Sequence, residues 1–238
     1  MTVSTRPEAG ARRAIRKSPP AVQTTITLSS RNYSSWSLRG WLLVRLAGLP
    51  VREVMISLDD VDARKELLLL APSIRVPCLT HEGIEVWNTL AIAEYLNEVC
   101  PDSSLFPADR AARASCRSVC AEMMSGFANL RSALPMNLRA HYPGHKVWSG
   151  AQPDIDRIIS IWTDCLAAYG GPYLFGAACG AADAMFAPVV TRFLTYDVAL
   201  PAQCASYCKT IMALPDMKQW IDAARLEPEE IDELDMDF

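Results

Sequence analysis

Val76-Pro77-Cys78-Leu79-Thr80-His81-Glu82-Gly83-Ile84-Glu85-Val86-Trp87-Asn88-Thr89-Leu90-Ala91-Ile92-Ala93-Glu94-Tyr95-Leu96 decides the reading of this chain. A strand begins at a proline, turns back near Glu82-Gly83, and returns as a second β-prone run. That run delivers two small polar residues, Asn88 and Thr89, to the start of an apolar-periodic helix. The first N–H groups of a helix are unpaired and its dipole end is positive, so this is a ready anion site. Asn88 is equally suited to be a plain N-cap.

Upstream, Thr25 to Ser30 alternates and reads as a first strand. Residues 35–47 read as a helix with Leu38, Trp41, Leu42 and Leu46 near one face, stopped by Gly48-Leu49-Pro50. Val51 to Leu58 reads as a second strand, and residues 62–71 as a short helix ended before Pro72. The order β-α-β-α-β-β-α is that of a thioredoxin-like α/β layer over residues 25–101. Pro101 to Pro107 has the composition of a linker, and beyond it the pattern turns helical. Ala112, Cys116, Val119, Cys120, Met123, Phe127, Leu130 and Leu134 recur at three- and four-residue steps, as do Ile155, Ile158, Ile159, Trp162, Cys165, Leu166 and Tyr169. Cys204, Tyr207, Cys208, Ile211 and Leu214 give a shorter helix, so residues 108–226 read as an all-α bundle.

Composition excludes several function classes. Half of the 238 residues are hydrophobic, enough for a sizeable core. No apolar run approaches the ~18–20 residues of a membrane helix. The net charge of −4 is unevenly placed: Arg6, Arg12, Arg13, Arg16 and Lys17 face only Glu8 in residues 1–24, whereas residues 227–238 are acidic without a basic residue. The near-neutral body does not suggest a nucleic-acid partner. The leader reads as a disordered basic extension and the end as a solvated acidic tail. The eight cysteines show neither C-x-x-C nor zinc-ligand spacing, and His81, His141 and His145 show no metal pattern, so no metal is expected. Reduced thiols in the cytoplasm are the expectation.

The Val-Pro turn, the small polar pair and Leu90-Ala91-Ile92-Ala93-Glu94-Tyr95-Leu96 resemble the glutathione-binding half of the cytosolic glutathione transferases. Ser34-Ser35-Trp36-Ser37 resembles the opening of the family's serine-type (theta- and zeta-like) members, and Phe175-Gly176 with Ala182 to Pro188 resembles its buried helix. The resemblance spans roughly residues 25–225. It implies a glutathione transferase, acting on a small apolar electrophile with glutathione as co-substrate, and usually a homodimer. It assigns the thiolate donor to Ser34, with Ser35 the alternate one residue on. Either serine would also serve as a helix cap. It makes Pro77 a cis-proline and gives Val76 the backbone contacts to the cysteinyl unit. Asn88 and Thr89 would hold the γ-glutamyl end, with Arg75 within reach of the glycyl carboxylate.

Met123, Phe127 and Arg131 are expected to line the second-substrate cleft, although Met123 and Phe127 also lie on the core stripe. The chain departs from the family in three places. Asn88 stands where an acidic residue or glutamine is usual, Ile74-Arg75 where Gly-Lys is common, and Gly180 where a serine or threonine caps the buried helix. Other readings are a glutathione-dependent isomerase, a peroxidase or reductase, and a binding scaffold. Trp36, where the zeta-like motif has cysteine, speaks against the isomerase.

Overall fold

A computed structural model of the chain describes residues 24–56 and 76–228. Among the described residues, four strands, β1 (Thr25–Leu28), β2 (Arg52–Met55), β3 (Cys78–His81) and β4 (Ile84–Trp87), form one sheet in the order β2-β1-β3-β4. β2 runs parallel to β1, and β3 and β4 run antiparallel to their neighbours. Helix α1 (Ser35–Ala47) is the crossover between β1 and β2, and α2 (Thr89–Val99) follows β4. The helix expected over residues 62–71 lies outside the described residues. This is the expected thioredoxin-like layer, and an all-helical domain follows it.

The helical domain comprises α3 (Arg110–Ser125), α4 (Ala128–Ala133), α5 (Gln152–Tyr169), α6 (Ala181–Thr195), α7 (Ala202–Ala213) and α8 (Pro215–Arg225). The periodic stripe from Ala112 to Leu134 is carried by two helices, because the chain breaks after Ser125. Phe127 takes the left-handed conformation, at φ 61°, and α4 starts afresh behind it. Hydrophobic periodicity continues across the break because both helices turn their apolar sides into the same core. Helix α8 is an addition to the elements read from sequence. Its apolar residues Met217, Trp220, Ile221 and Ala224 recur at three- and four-residue steps.

One core joins the layers. Buried Leu38, Leu42 and Leu43 of α1 and Ile26 and Leu28 of β1 are continuous with Phe186, Val189, Val190 and Phe193 of α6. Helix α6 is buried along nearly its whole length, and α1 packs on it as the principal contact between the domains. Arg39 of α1 donates through Nε to the Met185 carbonyl at 2.7 Å.

The missing serine at position 180 has a steric cause. Ala181 N–H donates to the Leu105 carbonyl at 2.8 Å, and a β-carbon on Gly180 would lie 2.9 Å from that oxygen. The linker therefore occupies the space a capping side chain would need. Asp183 supplies the other half of the cap by accepting from Gly180 N–H at 2.9 Å.

Gly40 holds α1 close to the sheet. A β-carbon there would stand 2.4 Å from the Pro77 ring. Gly40→Ala is expected to destabilise the protein by about 1–3 kcal/mol, the usual cost of overpacking a rigid contact. Urea unfolding measures it, and an unchanged midpoint would mean that ring and helix separate freely.

Candidate active site

Topology gathers the site. β1 ends where antiparallel β3 begins, with Thr27 opposite Cys78, and β4 ends beside the same point, with Cys78 opposite Trp87. The loop after β1, the Val76–Pro77 bond and the Asn88-Thr89 pair therefore meet at one end of the sheet. The Val76–Pro77 peptide is cis. Both residues are buried, and Pro77 is pressed against α1 at Gly40.

Ser34 is the N-cap of α1: its Oγ accepts from Ser37 N–H at 3.2 Å. A cap of this kind uses an oxygen lone pair and leaves the hydroxyl proton for another acceptor. Ser35 is the first residue of the helix, buried like Ser34, and its hydroxyl makes no hydrogen bond among the described residues. Ser37 is committed inward, where its Oγ accepts from Ser29 N–H at 2.9 Å. Two hydroxyls are thus placed at the positive end of the helix dipole, where Ser34 already caps the Ser37 N–H.

Asn88 N-caps α2 through Oδ1, which accepts from Leu90 N–H at 3.0 Å. Its backbone stands at φ 76°, ψ 128°, a region L-residues rarely occupy. Strain of that kind concentrates at ligand sites. Thr89 is 1% exposed, and its Oγ1 is buried with no hydrogen-bond partner among the described residues. A buried hydroxyl without a partner costs about 1–3 kcal/mol, so it points to a ligand group that completes it. Arg75 lies outside the described residues.

The cleft residues are placed unequally. Met123 is fully buried in the bundle core. Phe127 is also buried, at the break between α3 and α4. Arg131 of α4 is only partly buried and reaches across to the first domain, with its guanidinium 5.4 Å from the Trp36 ring centroid. Arg39 stacks on the same ring at 4.6 Å. Trp36, half-buried directly after Ser35, is therefore flanked by cations from α1 and α4. Burial, then the nearby Arg192 and Arg131, push the Arg39 guanidinium below its ordinary range.

Trp36 and Arg39 lie in the Ser34 to Arg39 stretch singled out by the sequence, which gives them no role of their own. Arg39 is an arginine buried inside the apolar helix that follows Ser34-Ser35. Asn32 carries no local signal, because its partners are over a hundred residues away. Its side chain donates to Asn137 Oδ1 at 3.0 Å and accepts from Leu138 N–H at 2.8 Å. That junction ties the loop after β1 to the helical domain.

The cysteines are free, and five of the eight are buried. Burial pushes Cys165 up to about 11 and Cys208 up to about 12, away from the thiolate state. Among the described residues, no group of histidine, cysteine and carboxylate side chains could hold a metal ion. No described helix is long and apolar enough to cross a membrane.

Comparison with known proteins meets this geometry. Residues 33–99 match the model of the glutathione S-transferase N-terminal domain, and residues 119–223 that of the C-terminal domain. Maleylacetoacetate isomerase of Rattus norvegicus is 29% identical over 71% of this chain and 78% of that protein. A glutathione transferase homolog from Burkholderia, solved with bound glutathione, superposes with a TM-score of 0.64 at 23% identity, covering 85% of this chain and 98% of its own. Maleylacetoacetate isomerase from Anaeromyxobacter dehalogenans, solved with glutathione in its active site, gives 0.62 at 21% identity, covering 87% and 98%. The two domain models follow one another in the order of the layers described above and together span most of the chain, which belongs to the glutathione S-transferase family.

Proposed function

We propose that the chain is a glutathione transferase that joins the glutathione thiolate to a small electrophile. The observation that carries this reading is the convergence, at one end of the sheet, of the Ser34-Ser35 helix start, the cis Val76–Pro77 bond and the buried Thr89 hydroxyl, which has no partner among the described residues. Glutathione bound in solved relatives supports it.

The chemistry closes energetically. A free thiol titrates near ~8.5. Lowering it by ~2 units takes ~2.7 kcal/mol of preference for the anion. A hydroxyl donor to a charged sulfur supplies ~1.5–3 kcal/mol, and the start of α1 adds ~0.3–1. Ser34, or Ser35 beside it, is that donor and not a nucleophile. Val76 pairs its backbone with the cysteinyl unit. Thr89 donates to the γ-glutamyl carboxylate, and Asn88 offers a neutral acceptor to the ammonium. Arg75 serves the glycyl carboxylate. Phe127 and Arg131 border the electrophile, with Met123 behind them in the core. A homodimer is part of this reading, as in the family at large.

Titration calorimetry with reduced glutathione, together with a thiolate absorbance scan against pH, tests the proposal. Binding with a thiol pKa well below ~8.5 supports it. No binding at millimolar glutathione overturns it in favour of a scaffold. Thr89→Val is expected to raise the KM for glutathione by roughly tenfold to a hundredfold, the value of a hydrogen bond to a charged group, with kcat little changed. An unchanged KM would remove Thr89 from the site.

One observation favours a second reading, a glutathione-dependent isomerase. The rat and Anaeromyxobacter relatives carry that activity in their names. The isomerase would use the same thiolate, added to a conjugated double bond and expelled after rotation. Recovery of free glutathione with a rearranged substrate, in place of a conjugate, distinguishes the two.

A further inference from the structure

The loop between β1 and α1 is held from behind by the other end of the chain. Glu227, just past α8, turns its carboxylate into this loop. Its Oε1 accepts from Arg31 N–H at 2.6 Å, and its Oε2 accepts from Asn32 N–H at 3.0 Å and from the Ser30 hydroxyl at 2.8 Å. Consecutive backbone N–H groups converging on one anion form a nest, and bonds to a carboxylate are about twice as strong as neutral ones. Ser30 passes the restraint on. Its Oγ accepts from Tyr33 N–H at 3.1 Å, and its carbonyl accepts from Ser34 N–H at 3.0 Å.

The far side of the latch is anchored as well. Trp220 of α8 donates from Nε1 to the Arg31 carbonyl at 2.9 Å and packs on Trp41 of α1 at 5.1 Å between ring centroids. Arg139 donates to the Glu227 carbonyl at 2.9 Å and to the Tyr33 hydroxyl at 3.0 Å. Residues from both domains and both ends of the described chain therefore fix the approach to Ser34.

We propose that Glu227 is a positioning residue for the thiolate site: its carboxylate clamps residues 30–32 and thereby fixes where the Ser34 and Ser35 hydroxyls point. The proposal rests on the reading of those serines as thiolate donors. A carboxylate acting only through its charge would disfavour a nearby thiolate. Clamp and charge therefore predict opposite signs for its removal.

The test compares Glu227→Ala, Glu227→Gln and Ser30→Ala with Asp222→Asn, which removes an exposed carboxylate on α8 that touches none of these groups. Hydrogen exchange of the residue 31–34 amides, measured without glutathione, judges the clamp independently of any activity. Exchange about tenfold faster or more in Glu227→Ala and Ser30→Ala, but not in Asp222→Asn, is expected. The bound thiol pKa should then rise by about one unit in both, a tenfold loss of thiolate below that pKa, with Glu227→Gln falling between. Unchanged exchange in both clamp variants overturns the latch, whatever glutathione does. Faster exchange with an unchanged thiol pKa and kcat overturns the positioning role. A thiol pKa that falls in Glu227→Gln and Glu227→Ala reduces Glu227 to a charge effect. Wild-type protein that leaves the thiol near ~8.5 refutes the serine reading separately, and with it the positioning role, while the exchange result still stands.

Discussion

Replacing Ser34 and Ser35 together by alanine is expected to lower turnover at neutral pH by roughly 10- to 150-fold, the rate equivalent of losing one hydrogen bond worth ~1.5–3 kcal/mol to the thiolate. The loss should arise from the ionisation of bound glutathione. A thiol held low by a hydroxyl donor returns toward its free value once the donor is gone. The pH–rate profile of the variant should therefore move upward by one to two units, roughly, and the gap to wild type should narrow above pH ~9. Single variants then divide the role. Ser34 also caps α1, so Ser34→Ala carries an additional stability cost of about 0.5–2 kcal/mol that Ser35→Ala does not. Ser34→Thr keeps both the cap and the hydroxyl and should restore most of the rate if Ser34 is the donor. A double variant with wild-type turnover and an unmoved pH profile would sink the mechanism.

Much of this site is legible in the sequence because local signals fix it. Helix α1 starts after a serine cap and stops at Gly48, which takes the left-handed conformation at φ 69°. Both signals are local, and the helix spans the expected residues 35–47. The hairpin at Glu82-Gly83 is equally local, since both residues take positive φ. What escapes is set by distance along the chain. Nothing near Asn32 reveals that it bonds residues 137–139, and nothing near Glu227 reveals a nest at residues 30–32. Residue 227 reads locally as the first of a run of solvated acids, whereas its carboxylate takes three hydrogen bonds from the first domain. The break at Gly126-Phe127 escapes for a different reason: core periodicity reports which face is buried, and the same face stays buried on both sides of the turn. Gly180 shows the reverse case. A departure from the family pattern that suggests a weakened cap is explained by the Leu105 carbonyl packed against it.

The largest stability effect is expected at Asp183, the pivot beneath the domain interface. Its Oδ1 accepts from Leu174 N–H at 3.0 Å and from the Tyr207 hydroxyl at 3.1 Å, and its Oδ2 from Gly180 N–H at 2.9 Å. Asp183→Ala strands all three donors, two of them in the buried core. Each buried neutral donor left without a partner costs about 1–3 kcal/mol, so the two in the core together cost on the order of 2–6 kcal/mol. That is a large part of the ~5–15 kcal/mol that keeps a domain folded, so the variant should melt far below wild type or accumulate as insoluble protein. The same carboxyl makes stability depend on pH. Burial raises its pKa to about 6, with the hydrogen bonds opposing the rise. The unfolded value is ~3.9, so the folded state binds the proton more tightly. The stabilisation from that proton is complete below pH ~4 and is lost as the pH climbs through about 6, on the order of 3 kcal/mol in all. Asp183→Asn cannot ionise and escapes this loss. It should be less stable than wild type at pH 4, with the gap closing by about 2–3 kcal/mol by pH 7. Urea midpoints of both proteins across that range measure the difference. A constant gap would mean that Asp183 ionises as readily in the folded chain as in the unfolded one, and that its three hydrogen bonds fully offset its burial.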